Sequence, residues 1–457
     1  MSISPENKYE TGSDQQRVNW ETLKNRVAEL EKNTARTIEQ TEELAELYVA
    51  WAAELSEHDD SFNEILDLFA KAEIALQSTL ALGEEDEIRR RLGNVYLHRA
   101  VTYNDYERFE PALESYGQAI VTLKPLEDKG DGEAKYDIAG IRLNRGIIYQ
   151  ELGEFEKAKN DFEDSFTAFR AVEKISDLDT RFYMAKVSVA QGNLFRDMDE
   201  PLDKVVDAYN RAMRLFVELI DIGQMEHERE LANTLLLRCK VTYDDYINRE
   251  FDSETERLNK VGDVLIDVGR GIEILEKLAK NGNFENRYDL FQALITEGTM
   301  LLDIDKKQEA YNIFDRSIRD FAEFIDDADP VVLNSLAVAY ENHGIAAMNI
   351  GNVKESLADF DKAIEIKEQF LGQEFGLDRE DQSIFLPTLA TSYANRANVY
   401  ASLGNLEQAK KDAQHGLDII RSLKEELGDE LVEIEQIFEN LLQEITSAAE
   451  NNNIKRN

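Results

Sequence analysis

One spacing that keeps returning constrains this chain more than any other feature. A small residue is followed three positions later by an aromatic or aliphatic one. A turn comes next, and then a second run carries a small residue, an aromatic and another small residue. The clearest copy reads Gly146, Tyr149, Leu152, Gly153, Phe155, Ala158, Phe162, Ser165. Another reads Ala397, Tyr400, Leu403, Gly404, Leu406, Ala409, Ala413, Gly416, and a third Gly344, Ala347, Ile350, Gly351, Val353, Ser356, Phe360, Ala363. Self-similarity at this scale marks a solenoid, in which each helical hairpin buries its apolar face only by stacking on the next. Strand-type alternation never persists, while apolar residues recur at i, i+3 and i+4 throughout, so the reading is all-α. Such an array offers partners an extended surface and offers chemistry no pocket.

The hairpins fall at about 36–80, 86–124, 137–174, 180–221, 227–280, 287–326, 331–372 and 383–424. A helix with Trp20, Leu23, Val27 and Leu30 on one stripe precedes them. The division expected is a disordered tail at 1–15, a repeat array at 16–424, a capping helix at 425–448 and a disordered tail at 449–457. The capping helix carries Leu431, Ile434, Ile437, Leu441 and Ile445 on one stripe, suited to covering the open end of a stack. The fifth hairpin is irregular, with a polar insertion near 247–256 before its second helix. It also repeats the segment Val101 to Tyr106 almost unchanged as Val241 to Tyr246. Duplication of a three-hairpin block and convergence within one repeat type both explain that copy.

At 457 residues a globular chain would split into two or three domains, but a repeat array grows along one axis and escapes that limit. With 93 acidic against 52 basic residues, the formal net charge is -41. Nucleic acid and anionic membrane surfaces are disfavoured, because binding there rests on Lys and Arg neutralising phosphates. A basic protein or peptide is the favoured partner; a solvated acidic surface kept for solubility explains the charge equally well. Cys239 is the only cysteine, so neither a disulfide framework nor a thiolate metal site is expected. The polar start lacks the features of a signal peptide, and no apolar run approaches the ~18 residues that span a bilayer, so a soluble, cytoplasmic protein is expected.

These spacings resemble the tetratricopeptide repeat family, over about 36–424. The resemblance implies a right-handed α-α superhelix of about eight hairpins closed by the C-terminal capping helix. It implies that Gly146, Gly344 and Ala397 let paired helices approach closely, that Tyr149 and Tyr400 fill the space between helices, and that Gly153, Gly351 and Gly404 end first helices in a left-handed backbone. The departure is length. The family unit is about 34 residues, whereas Gly146 to Gly192 and Gly298 to Gly344 each span 46, as in elongated variants of the repeat.

No phosphate-cradling glycine loop, zinc-type His-Glu-x-x-His helix or nucleophile elbow is present, so no enzyme, cofactor or metal is expected. The five histidines are scattered, and Cys239 beside packing positions reads as a buried, inert thiol. Acidic runs such as Glu84 to Glu87 and Asp326 to Asp329 lack the glycine and terminal glutamate of a calcium loop; they read as loop solvation and helix-start charge.

In the family, first helices line the inner groove, with residues two and one before the small residue and one, four and five after it facing or bordering it. Carried onto this chain, that gives Asn144, Ile147, Gln150 and Glu151; Asn193, Arg196 and Asp197; Asn342, His343, Ile345, Met348 and Asn349; and Asn395, Arg396, Asn398 and Ser402. Asparagine amides both donate to and accept from an extended backbone, and they equally suit bonds between neighbouring helices. A clamp for a chaperone carboxylate is not expected, because Arg142 and Arg145 beside Asn144 have no full basic counterpart at His98 and Arg99 or at Ala190 and Gln191. The function expected is a non-enzymatic adaptor that holds a protein or peptide in this groove. The alternative is a regulatory sensor whose curvature changes on binding, with the fifth hairpin as hinge; the reading from another class is an enzyme whose site these motifs do not reveal.

Overall fold

The computed structural model describes residues 20–56, 62–80, 85–172, 177–251, 253–280, 283–324, 329–372, 377, 379–427 and 431–456. Among these are eighteen α-helices and no strand. The expected tail at 1–15 and the side chain of Trp20 lie outside the described residues. Helix α1 (Trp20–Lys32) is followed by eight hairpins. These pair α2 (Ile38–Ser56) with α3 (Phe62–Thr79), α4 (Glu85–Asp105) with α5 (Phe109–Asp128), α6 (Gly132–Glu151) with α7 (Phe155–Val172), and α8 (Asp177–Asp197) with α9 (Leu202–Asp221). Then come α10 (Glu228–Asn248) with α11 (Glu254–Ala279), α12 (Phe284–Asp303) with α13 (Lys307–Phe321), α14 (Pro330–Asn349) with α15 (Val353–Leu371), and α16 (Arg379–Ser402) with α17 (Leu406–Leu427), before α18 (Val432–Arg456).

Local sequence sets the helix ends. Asp131 caps α6 by accepting from the amides of Glu133 and Ala134, and Asp329 caps α14 by accepting from Val332 at 2.9 Å, with Pro330 at the first helical position. In six hairpins the first helix ends on a left-handed residue seven positions after the small one. Gly153, Gly351 and Gly404 adopt φ of 72°, 88° and 76° as expected, and Glu107, Asp199 and Asp305 adopt 55°, 53° and 65° at the same place. The turn geometry is therefore common to all six, although only three carry glycine.

The pairing depends on close approach. A Cβ on Gly146 or Gly298 would lie 2.6 or 2.5 Å from the ring of Phe162 or Phe314, so each second-helix aromatic packs directly on first-helix backbone. The chain divides into two compact units, Met1–His227 and Glu228–Asn457, and within each unit consecutive helices pack on one another. Each unit is an all-α solenoid. In the first, the first helices α2 and α4, and α6 and α8, touch directly; in the second, α10, α12, α14, α16 and α18 do so in turn. Among the described residues no comparable contact joins successive second helices, so within each unit the first helices are crowded onto the inner side and the second helices splay outward.

Several expectations are corrected. The polar stretch of the fifth hairpin is not a long insertion. Its connection is residues 249–253, and the rest forms the opening turns of the 26-residue α11, capped by Ser253. The two near-copies sit in registers one residue apart: Val101 follows the buried Ala100 directly, whereas Val241 lies two after the buried Cys239. That shift counts against a duplicated block. The last helix begins at Val432 and continues to Arg456, through most of the stretch expected to be a tail. Ile437 is 65% exposed, and its neighbour Phe438 makes the buried contact beside Gly416, because one residue turns a helix by about 100°.

Candidate functional site

A polar ladder joins the first helices. Arg91 of α4 pairs with Glu42 and Glu46 of α2, and Gln150 of α6 donates to Asp197 of α8 at 2.6 Å. In the second unit, Arg229 and Asn233 of α10 bond Asp289 of α12, Gln292 of α12 bonds Ser335 of α14 at 3.0 Å, and Thr388 of α16 bonds Asn334 of α14 at 3.3 Å. The faces turned inward thus carry polar side chains, long ones such as Arg91, Gln150 and Arg229 among them, that bond sideways to the neighbouring first helix.

The predicted groove residues divide into three sets. Ile147, Asn342, Ile345 and Asn395 are half-buried and Glu151, Asn349, Asn398 and Ser402 are exposed, all on the inward stripe of their first helices. Gln150, Asn193 and Arg196 have partners within the protein: Gln150 with Asp197, Asn193 as acceptor from the Tyr209 hydroxyl at 2.7 Å, and exposed Arg196 with the adjacent Asp197 at 2.8 Å. Asn144 is 3% exposed, with its amide toward Tyr116 of the preceding hairpin, so it serves packing between hairpins and has no surface to offer.

The residue just before the small one faces the second helix and not the groove, which corrects His343 and Arg396. Arg145 makes a two-pronged bond to Asp161 at 2.7 Å, Arg396 another to Asp412 at 2.7 and 3.0 Å, and buried His343 bonds Asp359 through Nδ1 at 2.9 Å. In all three the carboxylate lies sixteen residues downstream, so each is one clasp repeated across a hairpin. Burial pushes the Asp359 carboxyl up, against the pull of His343. This clasp escaped the sequence reading; the recurring sixteen-residue offset between a cation and an aspartate is the signal that could have found it.

Two positions set the edges of the wall: thirteen residues before the small residue and five after it. They are eighteen apart, or about 27 Å along a helix. In the second, third, fourth and sixth hairpins they hold Glu87 and Asp105, Glu133 and Glu151, Asp179 and Asp197, and Glu285 and Asp303. In the seventh and eighth they hold Val331 and Asn349, and Ile384 and Ser402. Val331 is 60% and Ile384 65% exposed. In the first unit the edges are thus acidic on α4, α6 and α8; in the second they are acidic on α12 and uncharged on α14 and α16. Arg90 beside Glu133 and Arg229 beside Glu285 offset part of the acidic charge.

Cys239 is buried, and burial pushes its thiol up to about 12, so thiolate is scarce at neutral pH. Desolvation pulls the half-buried His98 down to about 4. Among the described residues, no group of three or more His, Cys, Asp or Glu is placed to hold a metal ion, and no helix is long and apolar enough to cross a membrane.

Fold and wall together define a helical-hairpin repeat protein. Three of the hairpins carry tetratricopeptide repeats: models of that family match residues 139–170, 337–370 and 389–423. No curated protein matches the chain in sequence. Among solved structures, BtubC (BKLC) from P. vanneervenii is 20% identical with a TM-score of 0.44, over 57% of this chain and 91% of that one. A signal-transduction ATPase with a tetratricopeptide repeat sensor from Pyrococcus horikoshii is 13% identical with a TM-score of 0.48, over 90% of this chain and 54% of its own, so this chain spans about half its length. The apo form of RapI is 13% identical with a TM-score of 0.48, over 89% of this chain and 99% of that one.

Proposed function

We propose that this protein is a non-enzymatic adaptor of the cytoplasm that holds a protein or peptide segment along its first-helix walls. The observation that carries the reading is the inward stripe: exposed or half-buried amides, carboxylates and short apolar groups recur in register, while the clasps of the third, seventh and eighth hairpins are spent on tying their own helices. A wall assembled before binding leaves most of the ordering cost to the partner. Basic partner segments fit the acidic edges, with Glu133, Glu151, Asp179 and Asp197 on α6 and α8 as the contacts in the first unit. On α14 and α16 the contacts are Asn342, Ile345, Asn349, Asn395 and Asn398, which suit an uncharged backbone and small apolar side chains. Electrostatic steering should make capture of a lysine-rich 16-residue peptide slow steeply as salt rises from low to physiological ionic strength. Stopped-flow association rates that ignore salt would remove the basic partner from the proposal.

The alternative, a regulatory sensor that changes curvature on binding, is favoured by one observation: the division into two units falls between His227 and Glu228, at the head of the fifth hairpin. Small-angle scattering at saturating peptide tests it, and unchanged dimensions would exclude it.

A further inference from the structure

Two neighbouring first helices of the second unit stand apart from the rest of the chain in charge. Charged residues make up 32% of the sequence. The 20-residue α14 has one carboxylate, Glu341, and it is buried; its histidine, His343, is buried too and bonded to Asp359. From Gln382 to Ser402, α16 has one charged residue, Arg396, and it is spent on Asp412 and Asp361. The faces that α14 and α16 turn inward are therefore neutral from Val331 to Asn349 and from Ile384 to Ser402. They lie side by side, because α14 touches α16 directly and Thr388 bonds Asn334 at 3.3 Å.

The neutral strip also has a period. Val331, Val338 and Ile345 on α14, and Ile384, Thr391 and Asn398 on α16, recur every seven residues, about two helical turns. Val331 is 60% and Ile384 65% exposed, Thr391 and Asn398 are exposed, and Val338 and Ile345 are half-buried, so the strip has surface to offer along its length. A segment crossing the wall would touch each first helix over about one turn, and a neutral patch of that size would serve it. Neutrality over about five turns, or 27 Å, of both helices is the footprint of a rod lying along them.

We propose that the seam between α14 and α16 receives an α-helix of a partner protein, lying along the two, with a neutral face that repeats every seven residues. The inference rests on the adaptor reading and names the form its partner takes in the second unit. A docked helix meets two flanking helices with side chains at that same repeat. The face it buries has to be neutral, because a desolvated charge is costly unless paired and this wall supplies no pair for it. Asn342 and Asn395, each four residues after a member of the repeat, suit hydroxyl or amide side chains of the docked helix.

The test is fluorescence anisotropy of a labelled peptide, three repeats of Leu-Glu-Gln-Ala-Ala-Lys-Gln, titrated with the full chain. Its net charge is zero, and as a helix it gathers Leu and Ala on one face. A control peptide carries proline at two middle positions, which breaks that helix. The expected result is saturable one-site binding of the first peptide and binding of the control weaker by about tenfold or more. The double change Thr391→Glu with Asn398→Glu, at exposed positions that leave packing intact, should weaken the first peptide by about tenfold or more. Binding that does not saturate, equal affinity for the two peptides, or affinity unchanged in the double variant would overturn the helix site. The lysine-rich peptide reads the adaptor proposal separately: salt-insensitive capture of it, beside tight binding of the neutral helix, would remove the basic partner and leave this site standing.

Discussion

The third and seventh hairpins share a fold to the residue, yet differ where it counts for both stability and recognition. In each, a glycine faces an aromatic sixteen residues on, a left-handed glycine ends the first helix, and a clasp to an aspartate ties the two helices. Three residues before the small glycine, the third hairpin has buried Leu143; twenty-three after it, buried Phe169. The seventh has buried Glu341 and Lys367 in those places. Lys367 is 0% exposed and donates to Glu341 Oε1 at 3.0 Å, to Ser392 Oγ at 3.0 Å and to the Thr388 carbonyl at 3.1 Å, and Ser392 also bonds Glu341. Burial lowers the affinity of Lys367 for its proton, while Glu341 opposes that shift. The edges differ too, acidic at Glu133 and Glu151 and uncharged at Val331 and Asn349. Repeat geometry fixes where side chains stand; it leaves open which chemistry stands there.

The largest expected effect breaks the contrast in the core. Lys367→Met strands the Glu341 carboxylate and should cost about 3–5 kcal/mol in urea unfolding. The double change Glu341→Leu with Lys367→Phe installs the pair of the third hairpin and should return stability to the wild-type level or above, because well-packed apolar residues commonly match a buried ion pair. A double variant as unstable as the single would mean that the seam of the seventh and eighth hairpins depends on the charged network itself.

A smaller effect separates the two glycines. An added Cβ at Gly146 would press on Phe162 at 2.6 Å, whereas at Gly344 the nearest atom is Asp359 Cβ at 3.2 Å. Gly146→Ala should therefore cost about 1–3 kcal/mol through overpacking. At Gly344 the gain of about 1 kcal/mol in helix propensity should offset most of a milder clash. Equal midpoints in urea for the two variants would show that ring contact with the glycine is not what distinguishes these hairpins.

The smallest effect concerns the turn on which the two agree. The fourth and sixth hairpins place Asp199 and Asp305 where the third and seventh place Gly153 and Gly351. A side chain in the left-handed region costs roughly 1–2 kcal/mol, so Asp305→Gly should stabilise by about 0.5–1 kcal/mol after the entropy glycine loses on folding. Thermal unfolding reads this directly; a lower midpoint would mean that the Asp305 side chain holds the turn.

Much of this was legible in the residues. The eight hairpins announced themselves through small and apolar spacing, since only that periodicity buries a face on each neighbour. The turns at Glu107, Asp199 and Asp305 were not legible, because a sequence shows a left-handed residue plainly only when it is glycine. Lys367 and Glu341 were hidden for the opposite reason: charged residues read as surface, and only the packing brings both inside with partners. Asn144 and Asn342 occupy the same register position, one buried and one half-buried. An amide satisfies either setting, and what Asn144 meets is Tyr116 from another hairpin.

Gripping by the inner wall is tested most directly by moving charge between the two sides of one unit. One variant reverses Glu133, Glu151, Asp179 and Asp197 on α6 and α8 to lysine; the other reverses four exposed acids of α7 and α9, namely Glu156, Glu163, Asp203 and Glu218. Both change net charge equally. Affinity for the lysine-rich peptide, measured by calorimetry, should collapse in the first and shift only slightly in the second. Equal losses would show that the overall field, and not the wall, attracts the peptide.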